Sequence, residues 1–272
     1  MAQPPLSRSI KQMEDDLGTP LFLRTPKGVE LTPAGATLLA DAPSILAQAQ
    51  RAKERLLRAG QGLTGQLDVG IYGSGILDVI PRILSRFHKA RPDVRIVLHS
   101  MTKATQLQAL RERKITIGFN RLVQPEEDLI IETVMREPLV VALPEGHPLT
   151  SAAVLRLSDL NDKPLILYPN TATYGMAQQV IEAFRRDKLV LRVEQEVEDM
   201  VTAVALVASG FGFAITTQSG ANLRLPGVTF RSLDARHLRD IELSCIYRRD
   251  DASAPVLSGF LDVLRATVTE VS

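Results

Sequence analysis

The amino-acid sequence predicts an α/β protein, in which two similar units of alternating strands and helices follow a helix–hairpin segment and a long linker helix. Three observations support this fold class. From residue 67 onward, short β-branched runs alternate with amphipathic stretches. Between residues 38 and 56, apolar side chains recur every three or four positions. Residues 1–35 combine an apolar helical stripe with two short strand-like runs. A chain of 272 residues accommodates about two domains.

The first 35 residues predict a helix followed by a small hairpin. One helix face is expected to be apolar and to be formed by Leu6, Ile10, Met13 and Leu17. The opposite face carries Ser7, Arg8 and Lys11, which are the kinds of side chain that reach base edges and phosphates. Gly18 is expected to end the helix, and residues 21–32 have a strand–turn–strand pattern. The basic residues also suit an ordinary solvated face, because acidic neighbours balance their charge.

A long helix is predicted next, with Thr32 as its N-cap and Pro33 in its first turn. Its apolar seam consists of Leu38, Ala42, Ile45, Ala49, Ala52 and Leu56. This heptad spacing predicts that residues 33–58 dimerise, although an ordinary amphipathic surface helix has the same pattern. Pro43 predicts a kink. Residues 59–65 contain three glycines and predict a flexible hinge.

The remaining sequence predicts two α/β units with a cleft between them. The strand–helix rhythm of residues 67–119 predicts a parallel sheet, and a similar rhythm recurs from residue 139. Ligands of open α/β sheets bind beyond the carboxyl ends of the strands. Ser74 follows the first strand and is expected to cap a helix, above backbone N–H groups that suit a carboxylate. A plain helix cap without a ligand is equally consistent with this spacing.

Several features argue against an enzyme, a metal site or a bound cofactor. Gly73-x-Gly75 lacks the third glycine of a dinucleotide fingerprint, and no nucleophile elbow surrounds Ser74. The four histidines are scattered, without metal-ligand spacing. Cys245, the single cysteine, is expected in the core. The net charge of +1 indicates no particular partner. The lone cysteine, with neither a signal peptide nor a membrane span in the sequence, predicts a reducing, cytoplasmic setting without membrane association.

Three strings near the N-terminus resemble the signature of LysR-type transcriptional regulators. They are Gln3-Pro4-Pro5-Leu6-Ser7-Arg8, Leu21-Phe22-x-Arg24 and Leu31-Thr32-Pro33-Ala34-Gly35. The resemblance implies that residues 1–32 are a partial winged helix-turn-helix, containing the recognition helix and the wing, with the scaffold helix ahead of them expected to be missing. The implied DNA contacts are Gln3, Pro4, Ser7, Arg8, Lys11, Arg24 and Thr32.

The resemblance covers essentially the whole chain and implies a two-lobed sensor similar to periplasmic binding proteins. Residues 66–136 and 240–272 are expected to form sensor subdomain I, and residues 137–239 are expected to form subdomain II. The linker helices of the family imply dimerisation through the seam between residues 38 and 56.

Further strings resemble the branch of the family that responds to muconate and chloromuconate in catechol catabolism. They are Met101-Thr102-Lys103-x-x-Gln106, Gly118-Phe119-x-Arg121, Val197-Glu198-Asp199 and Ser244-Cys245-Ile246. In that branch a Ser after the first strand and a Thr after the second hold the effector carboxylates, which implies Ser74 and either Thr102 or Lys103. The full implied effector site is Gly73, Ser74, Gly75, Thr102, Lys103, Phe119, Arg121, Tyr174, Gly175, Met176, Asp199 and Met200.

The residues and the resemblance together predict a DNA-binding transcriptional regulator whose sensor binds a small, muconate-like carboxylate. The expected partners are double-stranded promoter DNA and further copies of the chain in a homodimer or homotetramer, with RNA polymerase as a candidate partner. The alternative is a cytoplasmic small-molecule-binding protein that has lost DNA binding through N-terminal truncation.

Overall fold

The computed structural model describes residues 3–26, 28–169, 175–238 and 240–271, and the chain divides into two compact units, 1–58 and 59–272. Among the described residues, no helix is both long enough and apolar enough to cross a membrane.

Residues 1–58 fold as a helix, a hairpin and a long helix, as the sequence predicted. The elements are α1 (Gln3–Leu17), β1 (Phe22–Thr25), β2 (Gly28–Leu31) and α2 (Pro33–Gly60). Gly18 ends α1 with a φ of +66°, a conformation that side chains with a Cβ disfavour. The carboxylate of Glu14 accepts hydrogen bonds from the backbone N–H groups of Leu21 and Phe22, at 2.7 and 3.0 Å. This carboxylate therefore fastens the hairpin to α1.

The linker helix α2 begins at the predicted cap and continues through Pro43 to Gly60. The Thr32 hydroxyl accepts a hydrogen bond from the N–H of Gly35 at 2.9 Å, which satisfies one of the free donors at the helix start. Half of the six predicted seam residues, Ile45, Ala49 and Leu56, are exposed in the single chain, and Leu56 is 74% exposed.

The middle of residues 59–65, the segment predicted to be a flexible hinge, makes specific contacts with the sensor. The Arg91 guanidinium donates hydrogen bonds to the carbonyls of Gln61 and Gly62, at 2.9 and 3.0 Å. Gly62 is buried, has a φ of +65°, and lies so close to Pro255 that a Cβ would approach its backbone to 2.4 Å. Packing and hydrogen bonds therefore fix this glycine-rich segment.

Residues 59–272 contain the following elements in chain order: β3 (Gly65–Ile71), α3 (Val79–Ala90), β4 (Val94–Ser100), α4 (Lys103–Arg111), β5 (Ile117–Arg121), β6 (Leu129–Glu137), β7 (Leu139–Pro144), β8 (Val154–Arg156), β9 (Pro164–Leu167), α5 (Met176–Arg186), β10 (Arg192–Glu196), α6 (Met200–Ala208), β11 (Ala214–Thr217), β12 (Val228–Asp234), β13 (Ile241–Arg248) and α7 (Pro255–Val271).

The first lobe, called lobe I here, is built on a five-stranded sheet in the order β4-β3-β5-β13-β6, with α3, α4 and α7 packed against it. The strands β4, β3 and β5 are parallel, as predicted. The returning strand β13 is antiparallel to both of its neighbours, β5 and β6, so the sheet is mixed. The strand β6 has no counterpart among the strands predicted from the sequence.

The second lobe, lobe II, is also mixed. Its four-stranded sheet has the order β11-β7-β12-β8, and β7 is antiparallel to both neighbours. The parallel pair β9 and β10 joins it through a bridge between Leu165 and Phe213. The chain enters lobe II at Pro138 and returns to lobe I between β12 and β13. The helices α5 and α6 each contribute buried apolar side chains to the lobe II core.

The core of lobe I contains Phe119, one of the residues predicted for the effector site. Phe119 is fully buried, and its ring meets Phe260 edge to face at a centroid distance of 6.3 Å. Phe87 makes a similar edge-to-face contact with Phe260 at a centroid distance of 5.2 Å. Alternation along β5 directs Phe119 into this core and the next residue to the opposite face. The predicted effector contact of Phe119 is therefore wrong.

Candidate functional site

A narrow cavity of about 80 Å³ lies between the two lobes, beyond the carboxyl ends of β3 and β5. It is lined by Tyr72, Gly73, Ser74, Lys103, Asn120, Arg121, Leu122, Tyr168, Pro169, Gly175, Met176, Glu198, Asp199, Met200 and Thr217. Ligand pockets typically enclose roughly 300–1,000 Å³. A ligand of several carbon atoms therefore requires these walls to move apart.

Ser74 does not cap an α-helix, contrary to the prediction. Residues Gly73–Leu77 form a 3₁₀ turn, and α3 begins only at Val79. The Ser74 hydroxyl is buried and lies 2.7 Å from the hydroxyl of Thr217 in lobe II. The same Ser74 oxygen accepts a hydrogen bond of 3.4 Å from Arg121. Ser74 thus connects both lobes at the cavity wall.

Thr102 and Lys103, the two alternatives for one effector contact, have different surroundings. Thr102 is exposed, does not line the cavity, and caps α4 by accepting from the Thr105 N–H at 3.4 Å. Lys103 lines the cavity, and its ammonium donates to the carbonyl of Leu122 at 3.0 Å. Burial lowers the pKa of Lys103. Of the two residues, Lys103 therefore lines the cavity and Thr102 does not.

A buried ion pair stands behind the cavity wall. The Arg121 guanidinium binds Glu137, the last residue of β6, whose side chain is 3% exposed. The Glu137 carboxylate also accepts hydrogen bonds from the backbone N–H and the hydroxyl of Ser219 in lobe II, at 2.6 and 3.1 Å. Two further donors of Arg121, Nε and Nη1, are buried and have no hydrogen-bond partner among the described residues.

The lobe II wall is formed by the starts of two helices. The Asp199 carboxylate caps α6 by accepting from the N–H and the hydroxyl of Thr202, at 2.9 and 2.7 Å. Partial burial opposes ionisation, yet these hydrogen bonds leave the pKa of Asp199 lowered. Met200 and Met176 are buried beside it. Above them, the Tyr72 hydroxyl of lobe I donates to the carbonyl of Glu198 at 2.8 Å.

The structure brings eight of the twelve predicted effector residues to the cavity: Gly73, Ser74, Lys103, Arg121, Gly175, Met176, Asp199 and Met200. Tyr174 lies outside the described residues. Gly75 is buried behind the wall, where a Cβ would meet Ile80 and Leu243 at 3.0 Å, so its role is close packing. Local sequence patterns missed the cavity residues Tyr72, Asn120, Leu122, Tyr168, Pro169, Glu198 and Thr217.

The predicted DNA contacts fall into three groups. Ser7, Arg8, Lys11 and Arg24 are exposed and border one open concavity of residues 1–58. The predicted DNA contact of the Thr32 side chain is corrected, because this side chain is only 7% exposed. Its hydroxyl donates to the Pro20 carbonyl and caps α2. The side chains of Gln3 and Pro4 lie outside the described residues.

Comparisons with known proteins identify both units. Residues 1–36 match the bacterial regulatory helix-turn-helix protein, lysR family, and residues 60–269 match the LysR substrate binding domain. The chain is 33% identical to the HTH-type transcriptional regulator ClcR of Pseudomonas putida, over 97% of this chain and 89% of ClcR. It is 35% identical to the regulator TfdS of Cupriavidus pinatubonensis, with the same coverage of both chains.

Solved structures agree with this assignment. The crystal structure of full-length CbnR complexed with its target DNA is 30% identical, with a TM-score of 0.82 over 98% of this chain and 91% of that chain. The effector binding domain of BenM with its effector benzoate is 25% identical, with a TM-score of 0.65 over 76% of this chain and 91% of that chain. These findings confirm the predicted two-lobed fold and favour a regulator over both an enzyme and a binding protein without DNA function. The chain belongs to the LysR family and is a DNA-binding transcriptional regulator with an effector-binding domain.

Proposed function

We propose that the sensor binds a small carboxylate of the muconate type in the inter-lobe cavity, and that binding changes how a homo-oligomer of this regulator engages promoter DNA. The observation that carries the proposal is the meeting of Lys103, Arg121 and the Ser74 hydroxyl at one buried cavity. The half-buried ammonium of Lys103 favours a carboxylate as its counter-charge. BenM, whose effector benzoate is a carboxylate, supports the same ligand class.

Coupling to DNA requires the effector to prefer one pose of the lobes. The cavity is too small for a six-carbon diacid in the pose described, and its closure rests on contacts between lobes. These contacts include Ser74 with Thr217 and Tyr72 with Glu198. An effector that replaces such contacts shifts the equilibrium between lobe poses. In the proposed mechanism, this shift changes how the regulator engages DNA.

The effector part of the proposal is tested by titration calorimetry, which suits a chain without tryptophan. We expect cis,cis-muconate to bind the wild type, and Lys103→Met to weaken binding about 10- to 100-fold, because a hydrogen bond to a charged group is lost. Ser74→Ala is expected to weaken it about tenfold or less. Lys89→Met, at an exposed position on α3, is the matched control and is expected to bind normally. Equal affinity for wild type and Lys103→Met would exclude Lys103 from the site.

The DNA part is tested by gel shift on the promoter beside the gene, over a range of salt concentrations. Arg8→Ala is expected to weaken binding and to reduce the slope of log affinity against log salt by about one, if Arg8 contacts a phosphate. Arg95→Ala, which removes an exposed arginine from β4 of the sensor, is the control and is expected to leave the slope unchanged. A wild-type slope for Arg8→Ala would remove Arg8 from the phosphate contacts.

A further inference from the structure

Three buried donors without partners cluster at the end of β5. They are Nδ2 of Asn120 and both Nε and Nη1 of Arg121, and they make no hydrogen bond within the described part of the chain. Asn120 is 3% exposed, and both residues line the cavity. Buried donors in native proteins nearly always have an acceptor, so a cluster of unpaired ones at a cavity wall indicates that a ligand supplies it.

The orientation of the Asn120 amide is fixed by its neighbour. Its Oδ1 accepts a hydrogen bond from the backbone N–H of Arg121 at 2.9 Å. A flipped amide would set two donors against each other, so the NH₂ group occupies the other end. Strand alternation sends Phe119 into the core and Asn120 to the face that borders the cavity.

The charge at this wall is already balanced. The Arg121 guanidinium is paired with Glu137, and the carboxylate of Glu137 is held in turn by Ser219. The cationic contribution of Lys103 comes from a different element, the start of α4. The cavity therefore has two receptor regions: an ammonium on α4 and a set of amide and guanidinium donors on β5.

We propose that Asn120 is a specificity-determining residue that, together with Arg121, reads a second oxygen-bearing group of the effector. This inference rests on the proposed carboxylate function and deepens it. One carboxylate is bound at the Lys103 side, and the second acceptor group receives the Asn120 amide and the spare Arg121 donors. The subsite makes the sensor selective for dicarboxylates over monocarboxylates with the same carbon skeleton.

The test compares cis,cis-muconate with its monomethyl ester by calorimetry at neutral pH. The two ligands share one skeleton and differ in one carboxylate. Asn120→Asp retains the acceptor for the Arg121 N–H but replaces the amide donor with an anion. We expect this variant to lower the preference for the diacid over the ester by about tenfold or more, because a hydrogen bond to a charged group is lost. A purely structural role would weaken both ligands equally.

Two further variants keep the test decisive. Asn120→Ser has a shorter side chain that cannot place a donor at the amide position, so it is also expected to lower the preference for the diacid over the ester. It replaces Asn120→Asp if that variant unfolds at a much lower temperature than the wild type. Ser244 on β13 is buried, lies opposite Asn120 of β5 in the sheet register and does not line the cavity, so Ser244→Ala is expected to keep the wild-type preference. An unchanged preference in folded Asn120 variants overturns this inference alone. A wild type that binds neither ligand overturns the proposed function as well.

Discussion

The two units of this regulator use apolar side chains in opposite ways. Residues 59–272 bury their large side chains in one main core per lobe, with Phe260 at the centre of lobe I. Among the described side chains of residues 1–58, Leu21 is the one large apolar residue that is buried. Those left exposed in this unit are Leu6, Met13, Leu17, Phe22, Leu23, Val29, Leu31, Leu39, Ile45, Leu46, Leu56 and Leu57.

This difference shows where the stability of each unit originates. The sensor has the buried area to fold by its own packing. The DNA-binding unit leaves many large apolar side chains exposed, and exposed apolar side chains that lie together on a surface mark places of association. Burial of large apolar side chains is therefore concentrated in residues 59–272, and the following substitutions test whether the exposed seam of α2 contributes to assembly instead.

The largest effect is expected in the lobe I core. Phe260→Ala removes the ring that Phe87 and Phe119 both contact, and it should lower the free energy of unfolding of the sensor by about 3–5 kcal/mol. Urea unfolding followed by circular dichroism measures this change. Phe211→Ala, at a phenylalanine that is 47% exposed, is the matched control and should change stability by about 0.5 kcal/mol or less. Similar losses in both variants would contradict the packing described for Phe260.

A smaller effect is expected at the seam of α2, and it should appear in assembly. Leu56→Asp enters a symmetric interface twice, and burial of each leucine contributes roughly 1.5–3 kcal/mol, so the dissociation constant should rise by about 100-fold or more. Sedimentation velocity gives the association state. Ala47→Asp adds the same charge to the opposite helix face and should leave assembly intact. Unaltered association of Leu56→Asp would make α2 an ordinary surface helix.

The cap of α2 should contribute less. Thr32→Ala removes the acceptor for the Gly35 N–H and the donor to Pro20, and it should destabilise the N-terminal unit by about 0.5–2 kcal/mol. Thr37→Ala removes an exposed hydroxyl that bonds only within α2, and it should be close to neutral. Limited proteolysis of the wild type and the two variants compares them. Equal protease resistance of all three would show that the cap is dispensable.

The smallest effect is expected at the cleft. Burial raises the pKa of the Tyr72 phenol, as do the carboxylates of Glu198 and Asp199, so its hydroxyl remains a donor at neutral pH. Tyr72→Phe removes the hydrogen bond from the Tyr72 hydroxyl to the Glu198 carbonyl. The pose in which the lobes meet should then be less stable by about 0.5–1.5 kcal/mol. Calorimetry with cis,cis-muconate should show an affinity change of about tenfold or less, with the unfolding midpoint nearly unchanged. A large drop in that midpoint would instead assign Tyr72 to the core.

Local chemistry made some features predictable and left others invisible. Gly18 and Thr32 could be placed from sequence because a helix stop and an N-cap depend on adjacent residues. The strand β6 could not, because its side chains show no regular alternation of burial and its main partner, β13, follows more than a hundred residues later. The α-helix cap predicted at Ser74 was wrong because residues Gly73–Leu77 form a 3₁₀ turn, and its contact with Thr217 was not predictable because Thr217 lies 143 residues away. No local sequence pattern marked Asn120 as a residue of the cavity.

Glu137 has a consequence for the form of the response. Its carboxylate pairs with Arg121 of lobe I, accepts a hydrogen bond from Ser219 of lobe II, and is almost completely buried from solvent. A partial separation of the lobes would remove the Ser219 donors before water could replace them, and a buried anion that loses donors is strongly destabilised. Intermediate poses are thereby disfavoured relative to both end states. The sensor is then expected to switch between two lobe poses, so that rising effector concentration changes the populations of these poses and does not change the lobe angle by degrees.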